Sequence, residues 1–249
     1  MDDDTPKIHP PEHGRFPDTR WTLVSRLKSA DTGTARRALD DLCAHYYYPL
    51  YCYIRHRGFD HHDAQDALQD FFAKLIRLES FEEADASRGR LRAYLATSLR
   101  RFLVNWRRDQ GHRWREVSLD PPDETAEQRF GAECFTDTET PERIFDRKWG
   151  LTLLERVIHR LAQEYAARGR THLFDALQPV LLAGGSLRGG DTAQLAATLA
   201  MSEGALRVAL SRLLREYRDL LEQEILQTVE ARSEVDSEIA HLLDVFQAV

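Results

Sequence analysis

Apolar residues recur along this chain at spacings of three and four, and no stretch alternates with period two for long enough to make a strand. The pattern predicts an all-α protein, with helices over 21–29, 34–57, 61–78, 89–109, 141–168, 171–182, 192–199, 203–228 and 235–246. The punctuation agrees. Gly58, Gly111, Gly169, the pair Gly184 and Gly185, and the pair Gly189 and Gly190 each follow a periodic segment, where helices stop. Thr140 ahead of Pro141 makes an N-cap and first-turn pair. No internal repeat is visible.

A chain of 249 residues can build two helical domains joined by a linker, each with a modest core, and one large domain is also allowed. The expected division is a flexible N-terminus at 1–18, a first helical domain at 19–115, an acidic linker at 116–140, a second domain at 141–229 and an amphipathic tail at 230–249. The linker carries Pro121 and Pro122 and shows no sustained period, so it need not fold alone. In the tail, Val235, Ile239, Leu242, Leu243 and Phe246 form a stripe expected to dock on a lobe or on a partner protein.

Composition narrows the classes. With 42% hydrophobic and 30% charged residues, the chain holds no apolar run near the roughly 20 residues that span a bilayer. The first residues, rich in acids, prolines and histidines, do not read as an export signal, so a cytoplasmic location without membrane contact is expected. Cys43, Cys52 and Cys134 are too few and too scattered for a disulfide framework or a four-ligand zinc site, and they read as buried thiols.

A net charge of -7 argues at first against nucleic acid, whose binding draws on Lys and Arg meeting phosphates. The distribution reverses that. From Ser87 to Arg115 there are nine Arg against one acid, Asp109, whereas Glu116 to Asp146 holds ten acids against two Arg. A basic helix is thus followed by an acidic tether.

Three surfaces could carry function. On the helix from His61, the stripe Ala64, Leu68, Phe71, Phe72 and Leu75 turns inward and leaves Asp63, Asp66, Gln69 and Asp70 outward. That face reads as a solvated helix side with carboxylates near its positive end, as a docking surface for a basic partner, or as a metal site through His62, Asp66 and Asp70. On the next helix, Leu91, Leu95, Leu99, Phe102, Leu103 and Trp106 occupy one arc of about 120°. Opposite them Tyr94, Ser98, Arg101, Asn105 and Arg108 make a stripe of aromatic, hydroxyl, guanidinium and amide groups, with Arg88, Arg90, Arg92, Arg100, Arg107, Arg113, Trp114 and Arg115 around it. Guanidinium pairs with phosphate, a ring stacks on an unpaired base and Asn reads a base edge, so nucleic acid fits better than an acidic protein or a membrane. The third surface is a helix-turn-helix pattern in 191–220. Ser202 caps its second helix, Leu206, Ala209, Leu210, Leu213, Leu214 and Tyr217 share the inner arc, and Arg207, Val208, Ser211, Arg212 and Arg215 share the outer arc that would enter a major groove.

With these residues in hand, the chain resembles the bacterial sigma factors of the extracytoplasmic-function type. The resemblance covers roughly 19–105 and 149–229. Asp63-Ala-Gln-Asp-Ala-Leu-Gln-Asp-Phe-Phe72 looks like the family's D-x-x-D-x-x-Q-[DE]-x-F helix. Gly89-Arg-Leu-Arg-Ala-Tyr-Leu95 and Arg100-Arg-Phe-Leu-Val-Asn105 look like its promoter-opening and minus-ten segments. Met201-Ser-Glu-Gly-Ala-Leu-Arg-Val-Ala-Leu-Ser-Arg-Leu213 looks like its minus-thirty-five recognition helix.

The resemblance implies RNA polymerase core as a partner, its β′ clamp helices held by Asp63, Asp66, Gln69 and Asp70. It implies promoter DNA as a second partner, with Ser202 among the minus-thirty-five contacts, and it leaves room for an anti-sigma protein. The chain departs from the pattern at Ala200, where the family usually has Gly, in the length of 165–190, and in the tail beyond 229. No phosphate loop, metal cluster or nucleophile signature argues for an enzyme, so neither catalytic residues nor cofactors are expected. The alternative is a two-lobed helix-turn-helix DNA-binding regulator that never touches polymerase. A helical adaptor without DNA fits the segregated charge least.

Overall fold

The computed structural model describes residues 26–27, 31–77, 90–108, 123–132, 139–187, 190–229 and 232–247, and among these every regular element is helical. The order is α1 (Thr32–His56), α2 (His61–Arg77), α3 (Leu91–Arg108), α4 (Asp123–Ala132), α5 (Pro141–Ala167), α6 (Thr171–Leu182), α7 (Gly190–Thr198), α8 (Glu203–Leu226) and α9 (Val235–Gln247). The expected helices appear within a few residues of their predicted bounds. Of the expected helix at 21–29 only 26 and 27 are described, and they are helical; the N-terminus at 1–18, Gly111, Pro121, Pro122 and Gly189 lie outside the described residues. None of the described helices is long and apolar enough to cross a membrane.

The first three helices close on one another through the stripes their periodicity predicts. Tyr46, Leu50 and Ile54 of α1, Leu68, Phe71 and Phe72 of α2, and Leu91, Leu95 and Leu99 of α3 are all buried. Asp31 caps α1 by accepting from the backbone N–H of Thr34 at 3.0 Å, which satisfies one of the donors a helix start leaves open. Thr140 does the same for α5, accepting from the N–H of Arg143 at 3.3 Å with Pro141 behind it.

The two halves expected as separate lobes share one core. Phe145, Trp149, Leu153, Val157 and Leu161 of α5 join the same buried cluster as the α1 and α3 residues, and so does Leu242 of α9. The ends of α1 and α5 are tied by polar groups as well: the Tyr53 hydroxyl donates to Glu142 Oε1 at 3.1 Å, and His56 Nε2 lies 3.0 Å from the Glu139 carbonyl. Periodicity marked an apolar face on each helix but not that these two faces meet.

The segment read as a linker that need not fold alone contains a helix. At ten residues α4 is too short to be stable in isolation, and its docking explains it. Phe130 packs edge-on against Tyr51 with centroids 6.1 Å apart, the Arg55 guanidinium stacks 4.5 Å above the Phe130 ring, and Arg129 sits 4.2 Å above Tyr48. Glu127 accepts from both the Tyr51 hydroxyl and Arg55. The acidity that suggested a solvated tether therefore includes a carboxylate with a specific cationic partner on α1.

The cysteines follow the expected pattern where they are described. Cys52 is buried, Cys43 is half-buried with its thiol pushed up to about 12 by burial and, secondarily, by the charge of Asp40, and Cys134 lies outside the described residues. The tail docks on α5 largely through the face its stripe suggested, with Leu243 the exception. Val235, Leu242 and Val245 are buried, Ile239 and Phe246 are half-buried, and Leu243 is 53% exposed. Glu238, which the apolar stripe passed over, is completely buried.

Candidate nucleic-acid and partner interfaces

The acidic face of α2 is built from its amphipathic spacing. With Ala64, Ala67, Leu68, Phe71, Phe72 and Leu75 inward, Asp66 is exposed and Asp63, Gln69 and Asp70 are half-buried along the flank. Asp60 precedes the helix and accepts from the N–H of Asp63 at 2.8 Å, which fixes the first turn. Asp70 is also engaged within the chain, since the Trp106 indole of α3 donates to its Oδ2 at 2.9 Å. Among the described residues no group of three or more His, Cys, Asp or Glu side chains could hold a metal ion. The alternative that joined His62, Asp66 and Asp70 around a metal thus has no geometric support.

On α3 the expected division is largely present. Leu91, Leu95, Leu99 and Leu103 are buried and Phe102 and Trp106 half-buried, while Arg101, Asn105 and Arg108 are exposed and Tyr94 and Ser98 half-buried beside them. Arg100 adds exposed charge. Arg107 is exposed overall, although its guanidinium also stacks 4.3 Å above the Phe59 ring. Val104, 57% exposed, was not singled out from the sequence. It lies between Arg101 and Arg108 at helical spacing, so the stripe includes an apolar position.

Two arginines depart from the expectation. Arg92, placed among the outward charges, is only 5% exposed. Its Nε and Nη2 donate to Glu238 at 2.7 and 3.2 Å, its Nη1 pairs with Asp146 of α5, and the guanidinium lies 5.1 Å from the Trp149 ring centroid. The reason is angular. At about 100° per residue, Arg92 falls between Leu99 and Leu103 within the apolar arc, so the helix must bury it and a carboxylate must meet it. Arg90, just ahead of α3, is half-buried with its Nε 2.7 Å from Glu238 Oε2. Arg88, Arg113, Trp114 and Arg115 lie outside the described residues.

In the third surface the structure gives α7, a turn, and α8, with the Ser202 hydroxyl accepting from the N–H of Ala205 at 3.2 Å. Leu206, Leu210 and Leu213 are buried, and Ala209, Leu214 and Tyr217 half-buried. Ser202, Arg207, Val208, Ser211, Arg212 and Arg215 are all exposed. Val208 is 51% exposed. Arg207 is braced by Glu203 at 3.3 Å, one turn earlier.

The turn before α8 carries strain. Helix α7 ends in a Schellman arrangement, with Met201 N–H bonded to the Ala196 carbonyl at 3.0 Å and Ala200 N–H to Ala197 at 3.1 Å. The same closure after α5 uses Gly169 at φ 67, whereas here Ala200 holds φ 50. A left-handed backbone costs a residue with a Cβ on the order of 1 kcal/mol. Ala200→Gly is therefore expected to raise stability by about 0.5–1 kcal/mol, allowing for the extra freedom Gly gives the unfolded chain. Urea melts of the two proteins read this directly, and an unchanged or lower midpoint would show that the turn is not strained.

No curated protein and no solved structure matches the chain. Residues 42–113, which run from the middle of α1 through α2 and all of α3, match Sigma-70 region 2. The acidic face and the basic stripe thus lie together inside the segment that is similar to Sigma-70 region 2.

Proposed function

We propose that this chain is a sigma factor of the extracytoplasmic-function type, acting by binding alone. The observation that carries the reading is the pairing, on two adjacent helices, of an outward carboxylate-amide face on α2 with an outward Arg-Asn-aromatic stripe on α3. Asp66 and Gln69, flanked by Asp63 and Asp70, grip the polymerase core. Tyr94, Ser98, Arg101, Asn105 and Arg108 hold a minus-ten strand whose bases have left the duplex. The exposed arc of α8 enters the major groove of the minus-thirty-five element. Catalysis belongs to the polymerase, and the chain shifts promoter DNA from closed to open through its higher affinity for the open form.

The test is transcription by purified core polymerase on a pool of promoter fragments, with and without this protein. Defined transcripts that depend on it are expected; none, together with no association with core, would leave the regulator that never touches polymerase. A second measurement addresses α8. Arg207→Ala/Arg212→Ala/Arg215→Ala should weaken duplex binding by about a hundredfold and make the salt dependence shallower by between about two and three in the log–log slope. An unchanged slope would remove α8 from the DNA interface.

A further inference from the structure

Glu238 is the acidic side chain with the least exposure among those of α9, and it faces the two arginines that open α3. Helix α9 is held there from two sides. On the polar side Arg90 Nη2 also donates to the Ser237 hydroxyl at 3.1 Å, and His241 Nε2 lies 3.2 Å from Asp146 Oδ2. On the apolar side Leu242 and Phe246 sit directly on Gly150 of α5. A Cβ at that glycine would come within 2.8 Å of Leu242 Cδ2 and 2.9 Å of Phe246 Cζ, so a larger residue there must push these two side chains aside. From Ser233 to Gln247 the sequence holds Glu234, Asp236, Glu238 and Asp244 and neither Lys nor Arg.

The geometry of the guanidinium matters here. Arg92 gives its Nη1 to Asp146 and its Nε–Nη2 edge to Glu238, and that edge is the one with which arginine grips a carboxylate or a phosphate bidentately. Arg90 turns its Nε to the same carboxylate. Arg90 stands just ahead of the helix that carries Tyr94, Ser98 and Arg101, and Arg92 stands in its first turn, on the side turned away from those three. We infer that Arg90 and Arg92 form a site for the phosphodiester backbone of a DNA strand, and that α9 is a cover in cis whose Glu238 carboxylate occupies the phosphate's place. This rests on the DNA-binding reading of α3 given above. Strand binding and α9 docking then exclude each other, and by linkage each weakens the other by the same factor.

The experiment uses the full-length chain. Hydrogen exchange of the amides of 235–247 is followed with and without saturating fork-junction DNA, and DNA affinity is measured by anisotropy across a salt series for the native chain, Gly150→Val, Glu238→Gln and Gly150→Val/Arg90→Ala. The expected results are loss of protection in 235–247 on adding DNA and faster exchange there in Gly150→Val without DNA. DNA should bind Gly150→Val roughly tenfold more tightly, with a salt slope steeper by about one to two. Removal of Arg90 should take back much of that gain. Glu238→Gln, which leaves the α5 contact untouched, should move affinity in the same direction and serves if Gly150→Val does not fold. Release of α9 with unchanged or weaker DNA binding would overturn the cover while leaving the sigma-factor reading intact. Unchanged protection of 235–247 in the DNA complex would do the same. No salt-dependent DNA binding by any form would overturn both.

Discussion

Arg92→Ala is expected to cost about 3–5 kcal/mol, the range for removing one partner of a buried ion pair. The magnitude follows from what is left behind. Glu238 is 0% exposed, and without Arg92 its carboxylate keeps Arg90 as its cation among the described residues, while Asp146 loses the guanidinium it shares. Burial works against the charge of Arg92, yet the bonds to Glu238 and the charges of Asp146 and Glu238 outweigh it and hold the guanidinium above its usual range. A neutral side chain there offers nothing to offset the desolvated carboxylates.

The loss has a route of least resistance. Undocking α9 returns Glu238 to water, so the effect appears first as accelerated hydrogen exchange at 235–247 and only in part as a lower thermal midpoint. If the whole loss were global, a chain of this size would fall by roughly 10 °C, taking about 2–4 °C per kcal/mol. The companion variant Arg92→Met/Glu238→Met removes the Arg92–Glu238 pair with little change in volume, and it should recover part of the loss, since well-packed apolar replacements of buried pairs are often neutral while Asp146 still lacks its guanidinium. A cost below about 1 kcal/mol for Arg92→Ala, or no recovery in the double variant, would mean that the two residues are not energetically coupled.

Arg92 also marks where reading a sequence helix by helix stops working. Its position inside the apolar arc of α3 follows from spacing alone, but an arginine is nearly always outside, and that prior prevailed. The carboxylate that permits its burial comes from α9, 146 residues further on, and no local pattern links the two. The linker helix α4 was hidden for a related reason, since its stability comes from Tyr48, Tyr51 and Arg55 of α1 and not from its own ten residues. By contrast α8 was legible down to single side chains, because one helix face against one core is what periodicity encodes. Leu206, Leu210 and Leu213 went in, and Arg207, Val208, Ser211, Arg212 and Arg215 came out. The strain at Ala200 lies between these cases: the residue type signalled it, and φ 50 supplies the backbone that makes it real.

The face of α2 was legible as a face, although the sequence presents Asp66, Gln69 and Asp70 as equivalent and the structure divides them. Asp66 is exposed and Gln69 is half-buried at the margin, whereas Asp70 holds the Trp106 indole at 2.9 Å and so helps fix α3 against α2. Asp66→Ala/Gln69→Ala is therefore the variant that isolates partner binding. It should leave the melting curve within about 0.5 kcal/mol of the native chain, as expected of substitutions away from the core, while weakening association with polymerase core by about a hundredfold or more, the effect of two contact residues at the centre of an interface. Asp70→Ala should behave differently. Loss of the Trp106 bond costs about 1–3 kcal/mol of stability and leaves an indole N–H without its partner, so any loss of core binding arrives together with a shifted α3 and weakened DNA binding. Pull-down of core by the two variants, with their melts run alongside, separates the outcomes. Full core binding by Asp66→Ala/Gln69→Ala would show that α2 is not the polymerase contact. Loss of binding at unchanged stability would assign that contact to Asp66 and Gln69 and leave Asp70 as the residue that keeps the polymerase face and the DNA face in register.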